Sequence, residues 1–281
     1  MPCHAAPAAL TLAALLLALS PPAAAQDASA MEARIEALVP DLEAYVAKGM
    51  TDFDVPGVAV GIVSGDRLVY AKGFGLRAKG GEAVDSGTVF QIGSTTKAFL
   101  GTSIAIAVDE GKLAWDDRVV DHAPDFQMMD PWVTREFRIF DLLAQRSGLP
   151  PYANDAVGLL GFDQAAMIRS LRHVEPVSSF RSTFAYTNIT HMLAQRIVAE
   201  AMGAADWNAV IESEIFEPLG MTASSFSAAA IEAAPNAAKG YRWTPDGSIE
   251  VPFTEIFPYG FGGAGAINSN IEDMSLSLIH I

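Results

Sequence analysis

Cysteine is almost missing from this chain: Cys3 is the only one, and it stands ahead of an apolar run at the N-terminus. Loss of that segment would leave no disulfide, no thiol nucleophile and no cysteine-based zinc site. Positive charge is scarce as well, with 18 Lys and Arg against 33 Asp and Glu and a formal net charge of −15. No charged residue precedes Asp27, so all of this acidity belongs to the chain beyond the apolar run. Such a surface excludes nucleic acid and anionic membranes as partners. Histidine is equally thin. Of five, His4 lies in the leader and His280 at the very end, which leaves His122, His173 and His191. No Gly-x-Ser-x-Gly elbow and no His-Glu-x-x-His occurs, so a Ser-His-Asp triad and a zinc-protease site both lack their signatures. His122, in Asp116–Asp121 plus His122, is read as part of a solvated acidic turn. We expect no metal and no cofactor.

Long hydrophobic runs are limited to residues 8–19 (AALTLAALLLAL), followed by Pro21-Pro22 and Ala23-Ala24-Ala25. That is an apolar h-region with a small-residue cleavage site, too short to span a bilayer. It predicts a signal peptide over residues 1–25, although the stretch before it carries no Lys or Arg. The expected location is periplasmic or secreted, with no stable membrane anchor after signal removal. The remainder is half hydrophobic and 18% charged, enough for a sizeable core in one large domain or two intermingled ones.

Within that remainder, Ser94-Thr95-Thr96-Lys97 opens a long apolar stretch, Ser94–Glu110, that stops at Gly111. The pattern predicts a helix buried all round, with Ser94 at its N-terminus and Lys97 one turn later on the same face. Free N–H groups and the positive dipole end favour developing negative charge there. A hydroxyl, an amine in reach of its proton and nearby backbone donors suit acyl transfer. The tetrapeptide alone is weak, since roughly 0.4 such pairs are expected by chance, and a capping serine beside a solvated lysine reads equally well. Some ninety residues later, Tyr186-Thr187-Asn188 enters a second helix with the stripe Ile189, Met192, Leu193, Ile197, Val198 and Ala201, ending at Gly203.

Taken together, these motifs resemble the penicillin-recognising serine hydrolases. Within them the resemblance is to the class C β-lactamase-related group, with its D,D-carboxypeptidase-like and esterase-like members. Pro56–Gly61 is similar to that group's first core strand and Phe90–Gly93 to its approach to the nucleophile. Asp141–Pro150 and Ile215–Met221 resemble two further landmarks, so that the likeness covers roughly residues 35–275. It implies an α/β (α+β) fold: an antiparallel sheet with flanking helices and a large helical insert. Ser94 would be the nucleophile and, through its N–H, one oxyanion donor. Lys97 would be a base whose burial lowers its pKa from about 10.4. Tyr186 would relay protons, and Asn188 would orient Lys97 and the substrate amide. The family's second oxyanion donor sits on a later strand bearing a Lys-Thr-Gly or His-x-Gly type motif. Here Lys239-Gly240 lacks the middle residue and reads as loop.

The expected function is an exported serine hydrolase acting through an acyl-enzyme on a small-molecule or peptidoglycan-like substrate: a β-lactam, a D-amino-acid peptide or an ester. The alternative is a non-catalytic penicillin- or peptidoglycan-binding module, or an inactive fragment of such a hydrolase. The expected organisation is an N-terminal α/β part over 26–93, a mostly helical domain over 94–240, and an incomplete return to the α/β domain over 241–275. Residues 276–281 (LSLIHI) are expected to be a non-native tail, since they read back as a sequencing-adapter end, and the C-terminal strands are expected to be missing. Residues 31–49 read as an amphipathic helix interrupted by Pro40. Val58–Val63 and Arg67–Phe74 read as a hairpin about Ser64-Gly65-Asp66. Asp163–Leu171 and Asp206–Ile215 read as further helices. Gly260–Ala266 (GFGGAGA) lacks the dinucleotide register and is read as a loop passing close to the Ser94 helix. Ser269-Asn270-Ile271-Glu272 predicts a capping box, and its helix would have nothing after it to pack against.

Overall fold

The computed structural model describes residues 23–280. The expected signal peptide therefore lies outside the described residues, apart from Ala23-Ala24-Ala25, which open helix α1 (Ala23–Asp52). Pro40 does not interrupt α1 as expected; the helix runs through it. A proline removes one i→i−4 bond, and because Glu36 and Pro40 are both exposed, water can serve the freed carbonyl.

The chain then forms the hairpin β1 (Gly57–Ser64) and β2 (Arg67–Gly75), paired antiparallel from Gly57↔Gly75 to Ser64↔Arg67. Its tight turn uses Gly65 at φ +60°, a conformation that suits glycine. Glu43 of α1 fastens the helix to this hairpin, accepting from Lys72 Nζ at 2.7 Å and Tyr70 Oη at 3.1 Å. Further along, β3 (Phe90–Gln91) leads through a 3₁₀ turn (Gly93–Thr95) into α2 (Thr96–Asp109). Five short helices follow: α3 (Val119–His122), α4 (Pro131–Glu136), α5 (Ile139–Leu143), α6 (Asp155–Leu159) and α7 (Gln164–Ser170).

Helix α8 (Ile189–Met202) carries the expected apolar stripe and ends at Gly203, φ +68°. The segment expected as one helix over Asp206–Ile215 is divided into α9 (Trp207–Ile211), a wider π turn over Glu212–Phe216, and α10 (Glu217–Leu219). After α11 (Ala228–Ala233) come β4 (Gly240–Arg242), β5 (Ile249–Val251), β6 (Asn268–Ser269) and α12 (Ile271–Ile279).

The fold is mixed α/β, with helices around antiparallel strands. The expected single sheet is present among the described residues as three two-stranded pairs: β1 with β2, β3 with β6, and β4 with β5. The main core gathers on α2 and α8, where Phe99, Leu100, Ile104, Ile189, Leu193 and Ile197 are all buried. Burial of side chains of this size stabilises by about 1.5–3 kcal/mol each, so the two site-bearing helices are firmly anchored.

Four further expectations are corrected. Helix α2 is buried on one face only: Ala98 and Thr102 are exposed and, with Ile106, line an apolar groove beside Leu219, Met274 and Leu278. Asn270, not Ser269, caps α12, accepting from Asp273 N at 2.8 Å; Ser269 is held in β6, and Glu272 reaches Ser86 Oγ instead. Helix α12 does find a packing surface. It lies on β1, where Gly61 admits Ile271 so closely that a Cβ there would stand 2.7 Å from it. Gly240 opens a strand rather than a loop, because residues 249–251 return alongside it.

Candidate active site

Ser94 sits in the 3₁₀ turn just ahead of α2, not in the α-helix itself. Gly93, at φ +51°, makes that turn, and it leaves Ser94 exposed. The approach is pinned on both sides. β3 pairs with β6, Ile92 N donates to Ile267 O at 3.0 Å, and Ile267 N donates to Thr96 Oγ1 at 3.1 Å. Lys97, one turn on, is half-buried and donates to Ser94 Oγ at 3.3 Å, Asn188 Oδ1 at 2.8 Å and Ala264 O at 2.6 Å. Those three acceptors match the three hydrogens of an ammonium, and none of them is an anion. Burial pushes the Lys97 amine below its ordinary range, against the opposing pull of Tyr186 and of Asp155.

Tyr186 and Asn188 come from the entry to α8. Tyr186 Oη donates to Ser94 Oγ at 2.6 Å, and its ring centroid lies 4.8 Å from Lys97 Nζ. This entry is held by Gln145, a buried residue at φ +57°. Its Oε1 accepts from Thr187 N at 2.6 Å and Thr187 Oγ1 at 3.0 Å, and its carbonyl accepts from Ala185 N at 2.8 Å. Tyr152 N donates to Tyr186 O at 2.7 Å, so the one loop between α5 and α6 clamps the backbone around the tyrosine at both of its ends.

The glycine-rich segment does pass close to α2, and its carbonyl at Ala264 is a partner of Lys97. Gly262 has φ +51°, and a Cβ there would stand 2.2 Å from Gln195 Oε1. The positive φ favours glycine, and any side chain here would have to displace the Gln195 amide. Gln195 accepts from Gly263 N and donates to Gln164 Oε1, while Gln164 Nε2 donates to Gly260 O at 3.0 Å. This glutamine pair sets the distance between the glycine segment and α8.

Ser94, Tyr186 and Asn188 open into a cleft of about 820 Å³. Its wall is largely apolar, from Tyr152, Leu159, Tyr241, Val251, Phe257 and Phe261. Asp155 is the one charged side chain among the described lining residues. His191 lies buried in α8, where burial first and Lys97 second hold its imidazole down to about 3. His122 pairs with Asp117 at 3.0 Å, away from this cleft.

The structure thus brings together all four residues singled out in the sequence: Ser94, Lys97, Tyr186 and Asn188. Sequence reasoning missed Asp155, Gln164 and Gln195 and did not single out Gln145, none of which stands in a local pattern with the site. The unusual backbone at Gln145, Tyr152 and Asn154, all with φ between 56° and 57°, is visible only in three dimensions.

Comparison with known proteins follows the same lines. The chain is 28% identical over 247 residues to an unguisins hydrolase of Aspergillus campestris, covering 83% of this chain and 45% of that protein. It is 30% identical over 172 residues to penicillin-binding protein 4 of Amycolatopsis lactamdurans, covering 61% of this chain and 45% of that one. The chain therefore spans less than half the length of these relatives. Among solved structures, the octameric penicillin-binding protein homologue of Pyrococcus abyssi superposes with a TM-score of 0.75 at 28% identity, over 86% of this chain and 55% of that one. A class C β-lactamase in complex with cefoxitin shares the fold, with a TM-score of 0.70 at 22% identity over 88% of this chain and 65% of that one. The profile of the Beta-lactamase family matches residues 42–277. With most of its length inside that match, and a serine, a lysine and a tyrosine gathered at the head of the core helix, the chain belongs to the Beta-lactamase family.

Proposed function

We propose that this protein is an exported serine hydrolase, periplasmic or secreted, that works through an acyl-enzyme at Ser94. The observation that carries the reading is the convergence on one exposed hydroxyl of Tyr186 Oη at 2.6 Å and Lys97 Nζ at 3.3 Å. Ser94 Oγ attacks the substrate carbonyl, and its proton passes to the neutral Lys97 amine as the new C–O bond forms. The Ser94 N–H receives the oxyanion. Tyr186 carries the proton on to the leaving group, and then activates the water that releases the acyl group. Asn188 holds Lys97 in place through Oδ1.

The substrate is an amide or ester whose acyl group is bulky and apolar, because the cleft offers Tyr152, Leu159, Phe257 and Phe261 around Ser94. The names of two relatives are in keeping with acyl chemistry: one is an unguisins hydrolase, another is penicillin-binding protein 4. The test is mass spectrometry of the protein after incubation with a β-lactam and, separately, with an activated ester of a bulky acid. An adduct on the peptide containing Ser94, absent in Ser94→Ala, is expected. An adduct unchanged in Ser94→Ala rejects the assignment. An adduct that forms but never turns over supports a binding module instead.

A further inference from the structure

Asp155 stands at the site without a part in the mechanism above. Asn188 Nδ2 donates to Asp155 Oδ2 at 2.7 Å, while Asn188 Oδ1 accepts from Lys97 Nζ at 2.8 Å. A carboxylate can only accept, so the amide must turn Nδ2 toward Asp155, which leaves Oδ1 to accept from Lys97. The other carboxylate oxygen, Oδ1, is buried with no hydrogen-bond partner. A half-buried, half-satisfied carboxylate is costly unless a charge nearby compensates it. Its loop is pinned where it matters: Tyr152 N is bonded to Tyr186 O, and Asn154, at φ +57°, donates from Nδ2 to Ser170 Oγ at 2.7 Å.

We propose that Asp155 is a positioning residue of this site, fixing the Asn188 carboxamide toward Lys97 and supplying the counter-charge for Lys97 when it is protonated. When Ser94 Oγ bonds to the carbonyl carbon, the π pair moves onto oxygen and the serine proton moves to Lys97 Nζ. A positive charge then appears on Lys97, one amide away from Asp155. The logic is that of the acid in a serine triad, which orients the base and stabilises its cation without taking the proton itself.

The charged and titratable groups that face Lys97 are few. Tyr186 comes from the entry to α8, His191 from within α8, and Asp155 from α6. His191 stays neutral, so Asp155 is the one anion of this set at neutral pH. Burial pushes the Asp155 carboxyl up, while Asn188 and Lys97 draw it back. Burial pushes the Lys97 amine down, and Asp155 opposes that fall.

The kinetic arm of the test rests on the acyl-enzyme reading; the spectroscopic arm does not. The full chain is prepared with ¹³Cε-labelled lysine as wild type, Asp155→Asn and Asp155→Ala, and the Lys97 resonance is assigned by its loss in Lys97→Arg. Asp155→Asn keeps an oxygen to accept from Asn188 but loses the charge. Its Lys97 midpoint should fall below that of the wild type, and the acid limb of kcat/KM for an activated ester should move to lower pH with it. Asp155→Ala should show the same fall and, with Asn188 released, acylate at least about tenfold more slowly. An unmoved midpoint in Asp155→Asn overturns the counter-charge, whether or not Asp155→Ala folds. Wild-type acylation in a folded Asp155→Ala overturns the positioning. A midpoint that falls in a protein never acylated at Ser94 sustains Asp155 and rejects the hydrolase.

Discussion

Tyr186 donates its phenolic hydrogen to Ser94 Oγ at 2.6 Å, whereas Lys97 Nζ approaches the same oxygen only to 3.3 Å. Of the two groups at this oxygen the tyrosine is the closer, and the lysine is shared among three acceptors. Tyr186→Phe should therefore cut turnover by about a hundredfold or more, the usual scale for a lost acid–base group. Steady-state rates on an activated ester measure this, and near-normal turnover would sink the tyrosine's role while leaving the fold untouched.

Lys97→Arg separates charge from basicity. Burial holds the Lys97 amine below its ordinary range, so activity should rise with pH as the amine loses its proton. Arginine cannot lose its proton at any workable pH. Lys97→Arg should therefore acylate as poorly as Lys97→Ala across the whole range, with no recovery at alkaline pH. Stopped-flow acylation between pH 6 and about 10 reads the difference.

Gly262→Ala tests the clamp rather than the chemistry. The new methyl would meet Gln195 Oε1 at 2.2 Å on a backbone at φ +51°. Either the Gln195 amide swings aside and gives up its bond to Gly263 N, or the segment shifts and carries Ala264 O with it. We expect a loss of about 1–3 kcal/mol in urea unfolding together with slower acylation. Full stability with full activity would show that the glycine segment yields freely.

His191 sets a pH limit on stability. Its folded-state value is about 3 against an ordinary 6.5, so below pH 6.5 the unfolded chain takes up a proton that the folded chain refuses. Its contribution is fully present above pH 6.5 and is lost as the pH falls toward about 3, by up to about 1.4 kcal/mol per unit. His191→Gln cannot take that proton, and its stability should decline less steeply between pH 6.5 and 4. Parallel urea midpoints for the two proteins would refute this.

Ser94 and Lys97 were legible in the sequence because their relation is local. Three positions apart, across a 3₁₀ turn that runs straight into α2, two side chains come to one face with little help from the rest of the chain. The entry of Tyr186 and Asn188 into a second apolar helix was legible for the same reason, from the stripe at Ile189, Met192, Leu193 and Ile197 and the stop at Gly203. The glycines of 260–266 announced a close approach without saying to what. Tertiary structure alone decided the rest. Asp155 meets Asn188 from 33 positions away, Gln145 meets Thr187 from 42, and Gln195 meets Gly263 from 68. No periodicity links such pairs, since their geometry depends on how two loops and a helix are packed together. The start of α12 at Asn270, the passage of α1 through Pro40 and the open face of α2 were decided there too. Local propensity is worth only tenths of a kcal/mol for ordinary residues and about 3 kcal/mol for a proline inside a helix, so the packing of the whole element can override it.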